Sequence, residues 1–430
     1  MTNQITRITL PNGLLVLLKE IHTAPLISHW IWYRVGSRDE VPGITGISHW
    51  TEHMQFKGTL QFPNGVLDKA ISRYGGYWNA MTSLDWTTYY ETLPAGKIDL
   101  ALQLEADRMT SSLFKPEDVE SERTVIISER QGNENSPFFR LAEAVHADAF
   151  RVHAYRHEVV GHLADLQTIQ RDDLYKHYRV YYVPNNAVLS IAGDFDTETM
   201  LSRVRELYEP IPGGPAPPRR AREEPAQRGE RRLTVEGPGE TVFFQAVYRV
   251  PAATHPDFIP LNVLSSLLTG ASNLSSFGDG LSNKTSRLYR ALVEKEFAVT
   301  VSGGLQATID PFLYTIFVVI HPQRTVAEAV EVMDAEIRRL QDAPPPMPTL
   351  ERAVKQARAL FAYGSESTTN QALWMGLTEM LADYAWFLGY LDRLAAVTPE
   401  DVQRVAQDYL RPQNRVLGEY LPGMSNLAIE

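Results

Sequence analysis

A chain that repeats itself at a fixed offset is expected to fold as paired units, and this one repeats near the end of each half. "DLYKHYRVYYVPNNAVL", from Asp173, and "DVQRVAQDYLRPQNRVL", from Asp401, align without a gap. Asp173 with Asp401, Tyr181 with Tyr409, Pro184 with Pro412, Asn186 with Asn414 and Leu189 with Leu417 all keep an offset of 228. Each copy reads as a helix that runs into a Pro-Asn turn and then an apolar strand, and self-similarity of this kind points to duplication. Between the copies, "PIPGGPAPPRRAREEPAQRGERR" (210–232) exchanges hydrophobic periodicity for proline, glycine and mixed charge, the composition of an exposed linker. The expected organisation is an N-terminal domain over 1–212, a linker over 213–231 and a homologous C-terminal domain over 232–430. At 430 residues and 44% hydrophobic, the chain can bury a core in each half.

The same elements follow in the same order on both sides of the linker. "GLLVLLKE" and "ISHWIWYRVGS" read as strands, an amphipathic stretch begins near Ile47, and "WNAMTSLDWTTYYETLP" reads as a strand pair rich in Trp, Thr and Tyr. "IDLALQLEADRM" and "PEDVESERTVIISERQGN" read as helices, the second opened by Pro116 with acids in its first turn. After the linker come strands at "LTVEGPGETVFFQAVYRV", a helix at "FIPLNVLSSLLTG", strands at "TVSGGLQATIDPFLYTIFVVIHP", and helices at "TVAEAVEVMDAEIRRLQDA" and "MPTLERAVKQARALFAYG". This order predicts an α+β fold: two homologous domains, each a mostly antiparallel sheet packed with helices.

Several function classes fall away on composition. No stretch approaches the ~18–20 consecutive apolar residues of a membrane span, and the first twenty residues lack the basic and apolar regions of an export signal, so a cytoplasmic location is expected. Lys+Arg number 41 against Asp+Glu 52, a formal charge of −11. That balance argues against nucleic acid as the main partner, because phosphate binding needs a concentrated basic surface. With no cysteine in the chain, disulfides, thiolate metal sites and a cysteine nucleophile are all excluded, and any zinc must be held by histidine and carboxylate.

"GISHWTEHMQFKGT" (46–59) has that chemistry. On a helix His49 and His53 are one turn apart on one face, so both imidazoles can reach one ion, with Glu52 beside them. A catalytic zinc wants three protein ligands and a separate base for its water, and Glu52 suits the base. The spacing by itself also fits a polar helix face carrying two histidines.

His-x-x-Glu-His is the inverted zinc motif, and with its surroundings the chain resembles the M16 metallopeptidases, the family of pitrilysin, insulin-degrading enzyme and mitochondrial processing peptidase. The resemblance spans most of the chain. It implies a zinc endopeptidase whose two domains form half of a clamshell, with Zn2+ on His49, His53 and a third ligand 76 residues past the second histidine. That residue is Glu129, in "ERTVIISER". Glu122, seven residues earlier on the same helical face, matches the family's second carboxylate, which supports the site by hydrogen bonds without ligating. In "GGYWNAMTSLDWTTYY" (75–90), Asn79 and Ala80 match the strand that holds the substrate backbone by strand addition. "HAYRHEVVGHLADLQTI" (153–169) matches the loop after the glutamate helix, and the irregular spacing of His153, His157 and His162 there suits packing better than a second metal site.

One departure stands out. Self-sufficient members of the family carry an arginine and a tyrosine in the second domain within a stretch like Leu-Arg-Glu-Lys-x-Gly-Leu-Ala-Tyr. Here "RLYRALVEKEFAVTVSGG", aligned on Leu292, Glu294 and Lys295, puts Val293 and Thr300 at those positions. Arg287, Tyr289 and Arg290 lie nearby at other helical positions. The resemblance therefore implies a heterodimer with a homologous subunit that supplies the Arg/Tyr pair, acting on peptide substrates. A Gly/Ser/Asn-rich stretch at 269–286 is expected to be a lid or a partner-facing insertion.

Overall fold

A computed structural model describes residues 5–219, 222–271 and 284–423. Most of the 269–286 stretch therefore lies outside the described residues. The strands are β1 (Thr6–Thr9), β2 (Leu15–Glu20), β3 (Leu26–Tyr33), β4 (Tyr77–Thr82), β5 (Thr87–Pro94), β6 (Ala187–Gly193), β7 (Arg231–Gly237), β8 (Phe243–Val250), β9 (Ala298–Leu305), β10 (Phe312–Ile320) and β11 (Arg415–Pro422). Among the described residues they form two sheets, ordered β1-β2-β6-β3-β5-β4 and β7-β11-β8-β10-β9. Without β1 the two orders coincide strand for strand. Each contains a single parallel pair, β2 with β6 and β7 with β11, and is otherwise antiparallel. The expected α+β fold of two similar, mostly antiparallel domains is what forms.

The helices are α1 (Ile47–Met54), α2 (Val66–Arg73), α3 (Asp99–Ser111), α4 (Pro116–Glu134), α5 (Pro137–Ala149), α6 (Leu163–Thr168), α7 (Arg171–Tyr181), α8 (Thr197–Tyr208), α9 (Phe258–Leu268), α10 (Val326–Asp342), α11 (Met347–Tyr363), α12 (Thr368–Leu381), α13 (Tyr384–Leu388), α14 (Tyr390–Ala395) and α15 (Pro399–Tyr409). The repeated sequence motif has a structural reason. After α7 and α15 the chain makes a short 3-10 turn, Pro184–Asn186 or Pro412–Asn414, opened by proline, whose fixed φ suits the first helical position. The asparagine then ties the helix end to the sheet. Asn186 Nδ2 donates to Tyr181 O at 2.8 Å and Arg34 O at 3.3 Å; Asn414 Nδ2 donates to Tyr409 O at 2.9 Å and Arg249 O at 2.8 Å. Each asparagine satisfies a carbonyl at a helix C-terminus that has no partner within its helix.

The chain divides into two compact units, one of residues 1–131, 157–222 and 365–384, the other of 132–156, 223–364 and 385–430. Each unit takes a helix from the other half of the sequence. α12 lies on β3 and β6, where a Cβ on Gly376 would stand 1.9 Å from Trp32 Nε1, so only glycine lets the helix approach so closely. Ser190 Oγ adds a hydrogen bond to Ala372 O at 2.8 Å. In the other unit α5 lies on β11, burying Leu141, Val145 and Ala149, and here the close approach is made over the strand's Gly418. We propose 1–212 and 232–430 as the duplicated halves; the compact units rest on the exchange of these helices. The linker is exposed over most of its length but anchored: Asn185 bonds Gly214, and Glu224 accepts the main-chain N–H groups of Arg151, Val152 and His153 at 2.8–3.0 Å.

Candidate metal centre

α1 begins at Gly46, whose φ of 86° lies in the left-handed region and whose Cβ, were there one, would meet Val160 O at 2.4 Å. Glu40, its side chain fully buried, accepts N–H bonds from Gly46 at 2.8 Å and Ser48 at 2.9 Å, satisfying donors that a helix N-terminus leaves free. Burial pushes the Glu40 carboxyl up to about 8 against the pull of those N–H groups. His157 Nε2 stands 3.7 Å from this carboxylate, and His153 pairs with Asp310 at 3.0 Å. These two histidines have separate partners, and the ring of His162 lies 6.0 Å from that of His157.

One turn of α1 separates His49 from His53, whose rings meet edge to face with centroids 4.6 Å apart. α4 runs alongside and brings two glutamates. Glu129 lies 3.8 Å from His49 Nε2 and 3.7 Å from His53 Nε2, and one ligand atom from each of the three residues falls within 4.8 Å of the others. Zinc bonds of ~2.1 Å in a tetrahedron place neighbouring ligand atoms roughly 3.4 Å apart, so side-chain adjustments of up to about 1 Å would bring the three residues onto one ion. The donor set of two imidazoles and a carboxylate fits zinc.

The supporting contacts fit as well. His53 Nδ1 lies 2.8 Å from Glu122 Oε1, the arrangement that keeps the proton on Nδ1 and leaves the Nε2 lone pair for a metal. Lys57 pairs with the other oxygen of Glu122. Burial works to raise the Glu122 carboxyl, yet its bonds to His53 and Lys57 prevail and hold it below the usual range. Burial likewise draws His53 down, and its carboxylate neighbours, Glu122 first, outweigh that and raise it. His49 has no such bond: burial, with His53 adding, lowers it to about 3, and its buried Nδ1 has no hydrogen-bond partner among the described residues.

Glu52 is 8% exposed. Burial raises its carboxyl, opposed by Thr82, whose Oγ1 donates to Glu52 Oε2 at 2.6 Å. Thr82 ends β4, the edge strand of its sheet, bonded to β5 alone among the described strands. Asn79 is exposed on this strand and Ala80 half-buried; the Ala80 N–H bonds the Asn79 side chain at 2.9 Å, with Asn79 Nδ2 3.3 Å from Tyr77 Oη. The sequence reading omitted Thr82 and Lys57. The two-residue period of β4, which puts Trp78, Ala80 and Thr82 on one face, was the available signal for Thr82; nothing local pointed to Lys57.

In the other unit Val293 is half-buried at the end of a wide helical turn, Tyr289–Val293, and Thr300 is exposed on edge strand β9 opposite Val319. Arg287 lies 3.6 Å from Glu336. No helix among the described residues is long and apolar enough to cross a membrane.

Residues 15–162 match the family profile described as insulinase (peptidase family M16), and residues 168–357 the profile of the peptidase M16 inactive domain. The zinc protease PqqE of Helicobacter pylori is 28% identical over 410 residues, which cover 94% of this chain and 90% of that one. A mitochondrial-processing peptidase subunit beta, from Blastocladiella emersonii, is 26% identical over 411 residues, covering 95% and 86%. The crystal structure of a protease from Helicobacter pylori superimposes with a TM-score of 0.89 at 27% identity, over 97% of this chain and 99% of that one.

Proposed function

We propose, from the premise that this chain belongs to the M16 family of zinc proteases, that it is the zinc-bearing subunit of an endopeptidase acting on extended peptides or unfolded segments. The observation that carries this reading is the convergence of His49, His53 and Glu129 with Glu52 one residue away on the same helix. His49, His53 and Glu129 would hold the ion. Zinc, when bound, supplies Lewis acidity that makes water a nucleophile near neutral pH and polarises a peptide carbonyl. Glu52 takes the proton of the attacking water and returns it to the leaving amine, a role to which the burial that raises its carboxyl contributes. Glu122 orients His53 and does not ligate. The free edge of β4 receives the substrate backbone as an added strand, with Asn79 and Ala80 beside the bond to be cut.

Val293 and Thr300 supply neither of the donors that would hold a substrate carbonyl as charge develops on it. A homologous subunit bearing an arginine and a tyrosine completes the site as a heterodimer, closes a chamber that excludes folded proteins, and raises turnover by at least about tenfold.

Elemental analysis and a quenched-peptide assay, with and without a candidate partner, test this reading. One zinc per chain is expected; His53→Ala and Glu129→Gln should lose most of it, and Glu52→Gln should keep it while losing hydrolysis. Unchanged zinc in both ligand variants would remove the ligand assignment. A metal-loaded chain without activity under any partner would leave a scaffold or peptide-binding subunit instead. Full activity alone, unaffected by a partner, would sink the shared site.

A further inference from the structure

The hairpin of β4 and β5 fixes which main-chain groups of β4 are free. Ser83 N–H closes onto Trp86 O at 2.8 Å across the turn. In an antiparallel pair hydrogen-bonded residues alternate with unbonded ones, so Met81, Asn79 and Tyr77 bond β5 while the amides of Thr82, Ala80 and Trp78 face away from it. The bond from the Ala80 N–H to its neighbour's side chain agrees with that register. At Thr82, whose amide likewise points away from β5, the hydroxyl donates to the Glu52 carboxylate at 2.6 Å. Thr87 Oγ1, 3.4 Å from Thr82 Oγ1, is the competing acceptor for that hydroxyl hydrogen. The nearer, anionic oxygen wins, and Thr87 gives its own hydrogen to Val35 O at 2.9 Å.

We infer that Thr82 is a positioning residue for Glu52: its hydroxyl ties the carboxylate to the end of β4, fixing the base relative to the strand that receives substrate. The inference rests on the reading of Glu52 as the base. It has a geometric consequence. With its carboxylate bonded to the Thr82 hydroxyl, Glu52 stands at the end of β4, next to the outward-facing rung at Ala80. A base on a flexible side chain is thereby held to one orientation without contact between Thr82 and substrate, so its loss should act on turnover and leave binding nearly unchanged.

The full chain, zinc-loaded and in its active assembly, is compared as parent, Thr82→Val and Thr82→Ser. Valine keeps the shape and removes the hydroxyl; serine restores it. Expected for Thr82→Val are unchanged zinc, KM within about twofold and kcat lower by about ten- to thirtyfold, the scale of one charge-assisted donor, with serine recovering kcat to within about threefold. Crystal structures of both variants give a second readout: the Glu52 carboxylate should leave the β4 edge in the valine variant and remain on it in the serine variant. Parental kcat in Thr82→Val, equal loss in valine and serine, or a carboxylate that does not move would each overturn the inference. Should Glu52→Gln hydrolyse peptide as fast as the parent, the reading of the base itself falls, and the crystallographic comparison still decides whether Thr82 holds the carboxylate.

Discussion

Replacing Glu122 by alanine should weaken zinc binding by about 10- to 100-fold without removing a ligand, and the contacts at His53 indicate why. Glu122 is 6% exposed at its side chain, accepts from His53 Nδ1 at 2.8 Å and is paired with Lys57. A hydrogen bond to a charged group contributes about 1.5–3 kcal/mol, and the loss of a carboxylate behind a metal-binding histidine costs 10- to 100-fold in affinity, or about 1.4–2.7 kcal/mol at about 1.4 kcal/mol per decade. The two scales agree. Protons modulate the effect. Burial takes His49 to about 3, so it does not compete for protons near neutrality, whereas His53, drawn down by burial but lifted more by Glu122 and its neighbours, does. Removing Glu122 lowers His53 and relieves part of that competition, so the loss of affinity should be largest near pH 8 and shrink toward pH 6. Competition with a chelating chromophore at pH 6, 7 and 8 measures it. A zinc constant within twofold of the parent at pH 8, or a loss that grows as the pH falls, would refute this account.

Asn186→Ala should destabilise the protein by about 2–3 kcal/mol in urea denaturation, since it strips a donor from two main-chain carbonyls at a position 1% exposed. Asn414→Ala, at a half-buried position where water can replace the side chain, should cost about 1 kcal/mol. His29, fully buried beside Glu91 at 2.9 Å, is lowered by burial from 6.5 to about 4. The unfolded chain therefore binds the extra proton first, and stability present above the unfolded value is lost as pH falls through the folded one. This amounts to about 3 kcal/mol by pH 4. In denaturation at pH 7 and pH 4, His29→Asn should lose that much less than the parent; parallel losses would show that His29 does not titrate this way.

The local parts of this protein were legible in its sequence because they rest on short-range geometry. Four residues make one helical turn, so His49 and His53 had to share a face. A proline-opened turn and an asparagine that caps the preceding helix are needed once per half, so they recur at the same offset in "VPNNAVL" and "RPQNRVL". The succession of strands and helices along each half followed from alternation and turn residues, though not the order of strands within the sheets, and the resemblance that these motifs carry supplied Glu129 and Glu122, which α4 brings to the histidines. What tertiary structure alone decided depends on surfaces meeting across long separations. No period in the sequence announces that α12 will lie over β3 and β6, because that depends on Gly376 fitting against Trp32, two residues 344 positions apart. The same holds for α5 over Gly418, for Lys57 against Glu122, and for the hydroxyl of Thr82 on Glu52. These contacts are set by shape and charge complementarity at a few ångströms, which a linear pattern does not encode and a packed core enforces.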